Sequence, residues 1–200
     1  MTSGLIAGVA RCIIGATVFW KGCLPDSKQR IYFANHTSNF DALALWTVLP
    51  PRVRALTRPV AARDYWTATR LRLYLARNVF HAVLIERKKV TAHDNPIELM
   101  LEAMGQQFSL IIFPEGGRNA GPEVGPFKSG LYHLAKKLPQ VEFIPVQIEN
   151  LNRILPKGEV LPLPLLSRII FGAPVQLADG EDKLTFLAKA RQAVEDLRQV

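Results

Sequence analysis

Ser109 to Phe113 reads as a strand, apolar at every residue from Leu110 on, and it stops at Pro114-Glu115-Gly116-Gly117. A strand with one wet face alternates polar and apolar side chains. One that does not alternate is covered on both faces, and such strands belong to parallel sheets packed between helices. The rest of the chain supplies the elements such a sheet needs. Ile31–Ala34, Val53–Thr57, Ala82–Ile85, Glu142–Ile148 and Arg168–Phe171 read as further strands. Between them fall helical patterns: Phe40–Leu49 ending at Pro50-Pro51, Asp64–Arg77, Lys128–Leu138 and Lys183–Arg198. Another helix is capped by Asp94 or Asn95, has Pro96 in its first turn, and turns Ile97, Met100, Leu101 and Met104 inward. The Pro-rich stretch 155–166 is loop. Strands alternating with helices predict a single α/β domain whose mainly parallel sheet is flanked by helices, a size that 200 residues suit.

The amino-terminal stretch does not fit that scheme. Gly4 to Trp20 is nearly all apolar, interrupted by Arg11, and its longest uncharged run is Cys12–Trp20. That is short of the ~20 residues a spanning helix needs. No basic residue precedes the run and no small-x-small site follows it, so it is a poor signal peptide. On a helix, Gly4, Gly8, Arg11, Gly15, Val18 and Gly22 share one stripe, and Ile6, Val9, Ile13, Ala16 and Trp20 the opposite one. Such a helix needs cover on every side, either from the protein core or from a membrane interface. We expect residues 1–24 to be one membrane-interface helix and residues 25–200 the globular domain.

Charge points the same way. The chain carries a net +8, and the segment Arg52–Lys89 alone holds ten Lys/Arg against Asp64 and Glu86. A basic patch implies a polyanionic partner, an anionic membrane or nucleic acid, although many charge runs are plain solvated faces. Arg63, Arg70 and Arg77 recur seven apart beside Trp66 and Leu73, a pattern suited to a headgroup layer. No interleaved aromatic platform or nucleic-acid reader motif occurs, so nucleic acid is not expected. Two cysteines, Cys12 and Cys23, make no disulfide framework and fit a reducing, cytosol-facing compartment.

In an α/β sheet the loops after the strands build the site. His36, Arg87 and Glu115 each lie just past a strand end. Asp41 follows His36 at a spacing that lets its carboxylate meet one imidazole nitrogen and leave the other as a general base. The alternative is a surface histidine followed by a helix-capping aspartate. Arg87 and Arg118 add guanidinium groups suited to phosphate. None of the four histidines (36, 81, 93, 133) pairs with an acid at metal-ligand spacing, and no nucleophile elbow, Walker loop or dinucleotide fingerprint occurs. No metal and no cofactor are expected. What remains is a base that activates a substrate hydroxyl directly.

Four motifs carry a resemblance. Asn35-His36-x4-Asp41 resembles the first motif of the glycerolipid (lysophospholipid) acyltransferase family, the family of 1-acylglycerol-3-phosphate acyltransferase. Leu84-Ile85-Glu86-Arg87 resembles its second, Phe113-Pro114-Glu115-Gly116-Gly117-Arg118 its third, and Phe143-Ile144-Pro145-Val146 its fourth. Phe127-Lys128-Ser129-Gly130 also fits. Gly117 stands where the family usually has Thr, and His81 where its second motif usually opens with Gly. The resemblance implies that His36 is the base, oriented by Asp41. Asn35, Arg87, Glu115, Gly116, Arg118 and Lys128 then bind substrate, chiefly the acceptor's phosphate and glycerol. It implies an acyl-CoA or acyl-carrier-protein donor, a lysophospholipid acceptor, phosphatidate as product, and no acyl-enzyme. Residues 25–200 are then an acyltransferase domain, membrane-associated at the cytoplasmic face as a monotopic or peripheral protein. Two alternatives stand beside it: the same chemistry on another lysophospholipid or lipid-linked acceptor, and a lipid-binding membrane protein without turnover.

Overall fold

The computed structural model describes residues 15–86, 95–119, 121, 123–150 and 167–199. Seven strands form one sheet: β1 (Thr17–Trp20), β2 (Arg30–Ala34), β3 (Thr57–Ala62), β4 (Val83–Ile85), β5 (Ser109–Ile112), β6 (Glu142–Glu149) and β7 (Arg168–Phe171). Their spatial order is β1-β7-β6-β2-β5-β3-β4. All neighbours are parallel except β6 and β7. Five strands, β2 to β6, therefore end on one edge of the sheet.

Side-chain alternation in the central strands builds two cores. Tyr32, Ala34, Ile111 and Ile144 face helices α1 (Asp41–Val48) and α2 (Pro51–Ala55). Ile31, Phe33, Leu110 and Ile112 face α5 (Pro96–Met104), α6 (Gly130–Lys137) and α7 (Lys183–Asp196). All of β2 and β5 is buried, as the unalternating sequence requires. At the amino end of the sheet the Arg30 guanidinium donates to Glu142 at 2.7 Å, fixing β2 beside β6. Helix α5 is capped by Asn95, whose Oδ1 accepts from Ile97 N at 3.0 Å, and Met100 and Met104 are buried beneath it.

Three sequence expectations need correction. The predicted amino-terminal helix does not reach residue 24, because residues 17–20 are β1, paired with β7. Thr, Val, Phe and Trp favour a pleated surface, and Gly15 and Gly22 bracket them with φ of +56° and +82°, which end any helix there. Trp20, placed on the apolar stripe of that predicted helix, stacks on Phe171 with ring centroids 3.9 Å apart. Residues 1–14, where the rest of that helix was predicted, lie outside the described residues, as does loop 155–166. The strand predicted at Val53–Thr57 starts only at Thr57. Pro51 at the first turn of a helix makes residues 51–55 a helical turn instead. The helix predicted over Asp64–Arg77 is broken into α3 (Arg63–Trp66), α4 (Arg70–Tyr74) and a π-helical turn at Leu75–Val79. Thr67 Oγ1 bonds back to Arg63 O at 2.8 Å, and Thr69 caps the next segment by accepting from Arg72 N at 3.2 Å.

The chain leaves the π turn through His81, which has φ of +48° and an exposed side chain. A non-glycine residue there costs about 1–3 kcal/mol. Glycine would relieve that cost while adding roughly 0.4–1 kcal/mol of unfolded-state entropy. His81→Gly is expected to gain about 1 kcal/mol and raise Tm by about 2–4 °C in a thermal melt. A lower Tm would mean that the imidazole makes a compensating contact.

Candidate active site

The turn after β2 carries the first site residues, and the sheet itself holds it in place. Asn35 Nδ2 donates to Ile148 O at 2.9 Å, and its Oδ1 accepts from Ile148 N at 2.8 Å. The buried carboxamide thus extends the ladder to β6 by one rung. Asn35 was expected at the substrate; its amide is instead consumed in holding the strand end.

Asp41 is the first residue of α1, yet it does not cap that helix. Phe40 occupies the cap with no side-chain bond. The Asp41 carboxylate folds back over the turn, and Oδ2 accepts from His36 Nδ1 at 2.9 Å, Thr37 N at 2.6 Å and Ser38 N at 2.8 Å. Asp41 is completely buried, whereas the His36 side chain keeps 20% exposure. An acceptor facing Nδ1 fixes that nitrogen as the protonated one, which leaves Nε2 with a free lone pair. The ring stacks on Phe113, centroids 4.4 Å apart. Backbone, carboxylate and aromatic face together leave the imidazole little freedom.

Glu115 follows β5, the neighbour of β2, but its carboxylate does not border the cavity. Oε1 accepts from His36 N at 2.7 Å and Oε2 from Gly125 N at 2.9 Å. Asn119 N donates to His36 O at 2.7 Å, closing the same clamp. A side chain at residue 125 would put its Cβ 2.5 Å from Glu115 Oε2, so the latch depends on Gly125. Gly116 has φ of +70°, and a Cβ there would meet Lys128 Cε and Nζ at 2.7 Å. Lys128 therefore lies across the glycine turn.

A cavity of about 510 Å³ opens beside these residues, within the usual range for a small-molecule site. Much of its wall is aliphatic, including Val60, Ile85, Ile97, Met100, Ile112 and Leu134. His36, Asn39, Gly116, Gly117, Arg118 and Lys128 also border it. Of the sequence-predicted set, His36, Gly116, Arg118 and Lys128 thus line the cavity; Asp41, Asn35 and Glu115 stand behind it. Arg87 lies outside the described residues. Lys128 N donates to Pro114 O at 2.8 Å, but neither the Arg118 nor the Lys128 side chain has a hydrogen-bonding or ionic partner among the described residues. No group of three His, Cys, Asp or Glu among the described residues is placed to hold a metal.

Phe113, Asn119 and Gly125 were not singled out as site residues from the sequence. The signal for Asn119 was present: Asn119-x-Gly121 forms a local turn in which Asn119 Oδ1 accepts from Gly121 N at 2.9 Å. Nothing in the sequence marks Phe113 as the platform under the imidazole.

The chain has known relatives. It is 30% identical over 158 residues to 1-acyl-sn-glycerol-3-phosphate acyltransferase alpha of Mus musculus, covering 75% of this chain and 51% of the mouse protein. It is 31% identical over 137 residues to 1-acyl-sn-glycerol-3-phosphate acyltransferase of Escherichia coli (strain K12), covering 62% and 51%. The chain spans about half the length of the curated relatives it matches. In fold it is similar to the crystal structure of the 1-acyl-sn-glycerophosphate (LPA) acyltransferase PlsC from Thermotoga maritima, at TM-score 0.72 and 21% identity, over 100% of this chain and 79% of that one. The acyltransferase family model matches residues 19–149, a span that contains the His36–Asp41 turn, the Glu115 latch and β2 to β6, and the chain belongs to the acyltransferase family.

Proposed function

We propose that this protein transfers a fatty acyl group from a thioester donor to the free hydroxyl of 1-acylglycerol-3-phosphate, giving phosphatidate. The observation that carries this reading is the juxtaposition of the His36–Asp41 pair with a largely aliphatic cavity that also presents Arg118 and Lys128. The names of the relatives support it. The donor is acyl-CoA or acyl-carrier protein. His36 Nε2 takes the proton of the acceptor hydroxyl as its oxygen attacks the thioester carbonyl. The new C–O bond forms, the C–S bond breaks, and the proton passes to the departing thiolate. Asp41 holds the imidazole in the required tautomer and stabilises its protonated form. The reaction needs no acyl-enzyme, and it takes place at a membrane surface to which the protein attaches. Among the described residues no helix is long and apolar enough to cross a membrane.

Arg118 and Lys128 are the phosphate clamp in this reading, with Arg87 as a third cation. Charge-assisted contacts of roughly 1.5–3 kcal/mol each are enough to favour a phosphomonoester over a neutral glyceride. Lys128→Ala and Arg118→Ala are each expected to raise the acceptor KM by about 10–100-fold and leave the donor KM nearly unchanged in steady-state assays. A rise in donor KM alone would assign these cations to the donor's phosphates. Equal turnover of monoacylglycerol and its phosphorylated counterpart by the wild type would remove the clamp.

One observation favours a second acceptor. Gly117 borders the cavity beside Arg118, its φ is not left-handed, and a Cβ there would meet nothing within 4 Å. The turn does not require glycine at this position, so its missing side chain leaves room for a larger headgroup. Another lysophospholipid or a lipid-linked alcohol is the alternative acceptor for the same chemistry.

A further inference from the structure

We infer that the helical edge formed by residues 63–79 docks on an anionic lipid bilayer, with Leu71 and Tyr74 reaching into the headgroup layer. Leu71 is 68% exposed and Tyr74 53%. They lie three apart on α4, so they are neighbours on one face. Arg70 and Arg77, both exposed, flank them along the same stripe. The opposite side of this edge is anchored, with Ala76, Val79 and Phe80 buried. An exposed apolar pair between arginines is the arrangement that places hydrocarbon below a headgroup plane and guanidinium groups within it.

Charge and position both single out a bilayer. From Arg52 to Arg77 the chain has seven arginines and one acid, Asp64. Arg58 turns inward over the Phe108 ring and Arg54 over Trp46, but Arg52, Arg70 and Arg77 remain at the surface. On the far side of the sheet several surface cations have acidic partners, Lys137 with Glu98, Lys189 with Glu181 and Arg191 with Glu195. The same edge also forms cavity wall. Tyr65 and Trp66 line the cavity, Arg72 lies 4.3 Å over the Tyr65 ring, and Trp66 packs on Phe80 with centroids 5.9 Å apart. A lipid acceptor has to pass from a bilayer to His36, and the docked edge would set that cavity wall against the membrane. The choice of lipid as partner rests on the proposed acyl-transfer reading; the exposure and charge of the edge do not.

The test is co-flotation of the full chain with phosphatidylglycerol–phosphatidylcholine vesicles, combined with a fluorescent reporter at residue 71. Leu71→Glu/Tyr74→Glu is expected to lower the partition coefficient at least tenfold, and Arg70→Glu/Arg77→Glu by about fivefold or more per arginine, the second effect fading in high salt. In a Cys12→Ser/Cys23→Ser background, an environment-sensitive dye on Leu71→Cys should shift to the blue on anionic vesicles. Unshifted emission while the protein floats would overturn the proposal, since the chain would then be held by another face. Equal flotation on pure phosphatidylcholine would also overturn it, as would a lipid-free oligomer that Leu71→Glu/Tyr74→Glu dissociates. Turnover of detergent-dispersed substrate by Leu71→Glu/Tyr74→Glu is expected to match the wild type. A wild type that docks through residue 71 but transfers no acyl group leaves the docking intact and removes the enzymatic reading instead.

Discussion

His36→Ala is expected to lower acyl-transfer turnover by about 10²–10⁴-fold, the usual loss when a general base is removed. The geometry explains why the effect should be chemical and not structural. The turn is held by bonds that do not involve the ring: Thr37 N and Ser38 N on Asp41, His36 N on Glu115, and Asn119 N on His36 O. His36→Gln provides the control, since its amide still donates toward Asp41 but offers no base. It should lose turnover like His36→Ala while keeping the wild-type Tm. Asp41→Asn should lose less than either, because an amide oxygen in the place of Oδ2 can still accept from the ring and from both backbone groups. Near-normal turnover by folded His36→Ala would remove His36 from the chemistry.

Glu115→Gln is expected to damage both the fold and the chemistry. Both Glu115 oxygens accept from backbone N–H groups, on two separate loops. Glutamine offers one acceptor and turns a donor toward the other N–H. Losing one charge-assisted bond of about 1.5–3 kcal/mol should lower Tm by roughly 4–8 °C. It should also loosen the link between the histidine turn and the glycine turn. Small misplacements of reacting groups cost up to ~10²-fold, so turnover is expected to fall about 10–10²-fold with both KM values little changed. An unchanged Tm with a raised acceptor KM would instead make Glu115 a substrate contact, as its place in the motif suggested.

The contrast between His36 and Glu115 shows what was legible in the sequence. Strand-end placement predicted that both belong to the site, and the parallel edge formed by β2 and β5 brings them together. Their division of labour was not legible, because it depends on which backbone groups a carboxylate meets after folding. Asn35 makes the same point, since its partner Ile148 is remote in sequence. The fold class followed from unalternating apolar runs such as Leu110–Ile112, where burial on both faces leaves a direct trace. At Thr17–Trp20 the trace misled. Apolar residues between glycines suit an interfacial helix as well as an edge strand, and pairing with β7 decided for the strand. The broken helix near Thr67 was missed because threonine's bond back to the preceding turn is a local choice that periodicity does not see.

The most direct test of the account is an acyl-transfer assay with the purified chain in mixed micelles, using labelled acyl-CoA and labelled acyl-carrier protein in turn. The acceptors would be 1-acylglycerol-3-phosphate, other lysophospholipids and monoacylglycerol. The expected result is labelled phosphatidate from at least one donor, formed by the wild type and lost in His36→Ala. Failure of the folded wild type to acylate any of these hydroxyls from either donor would contradict it.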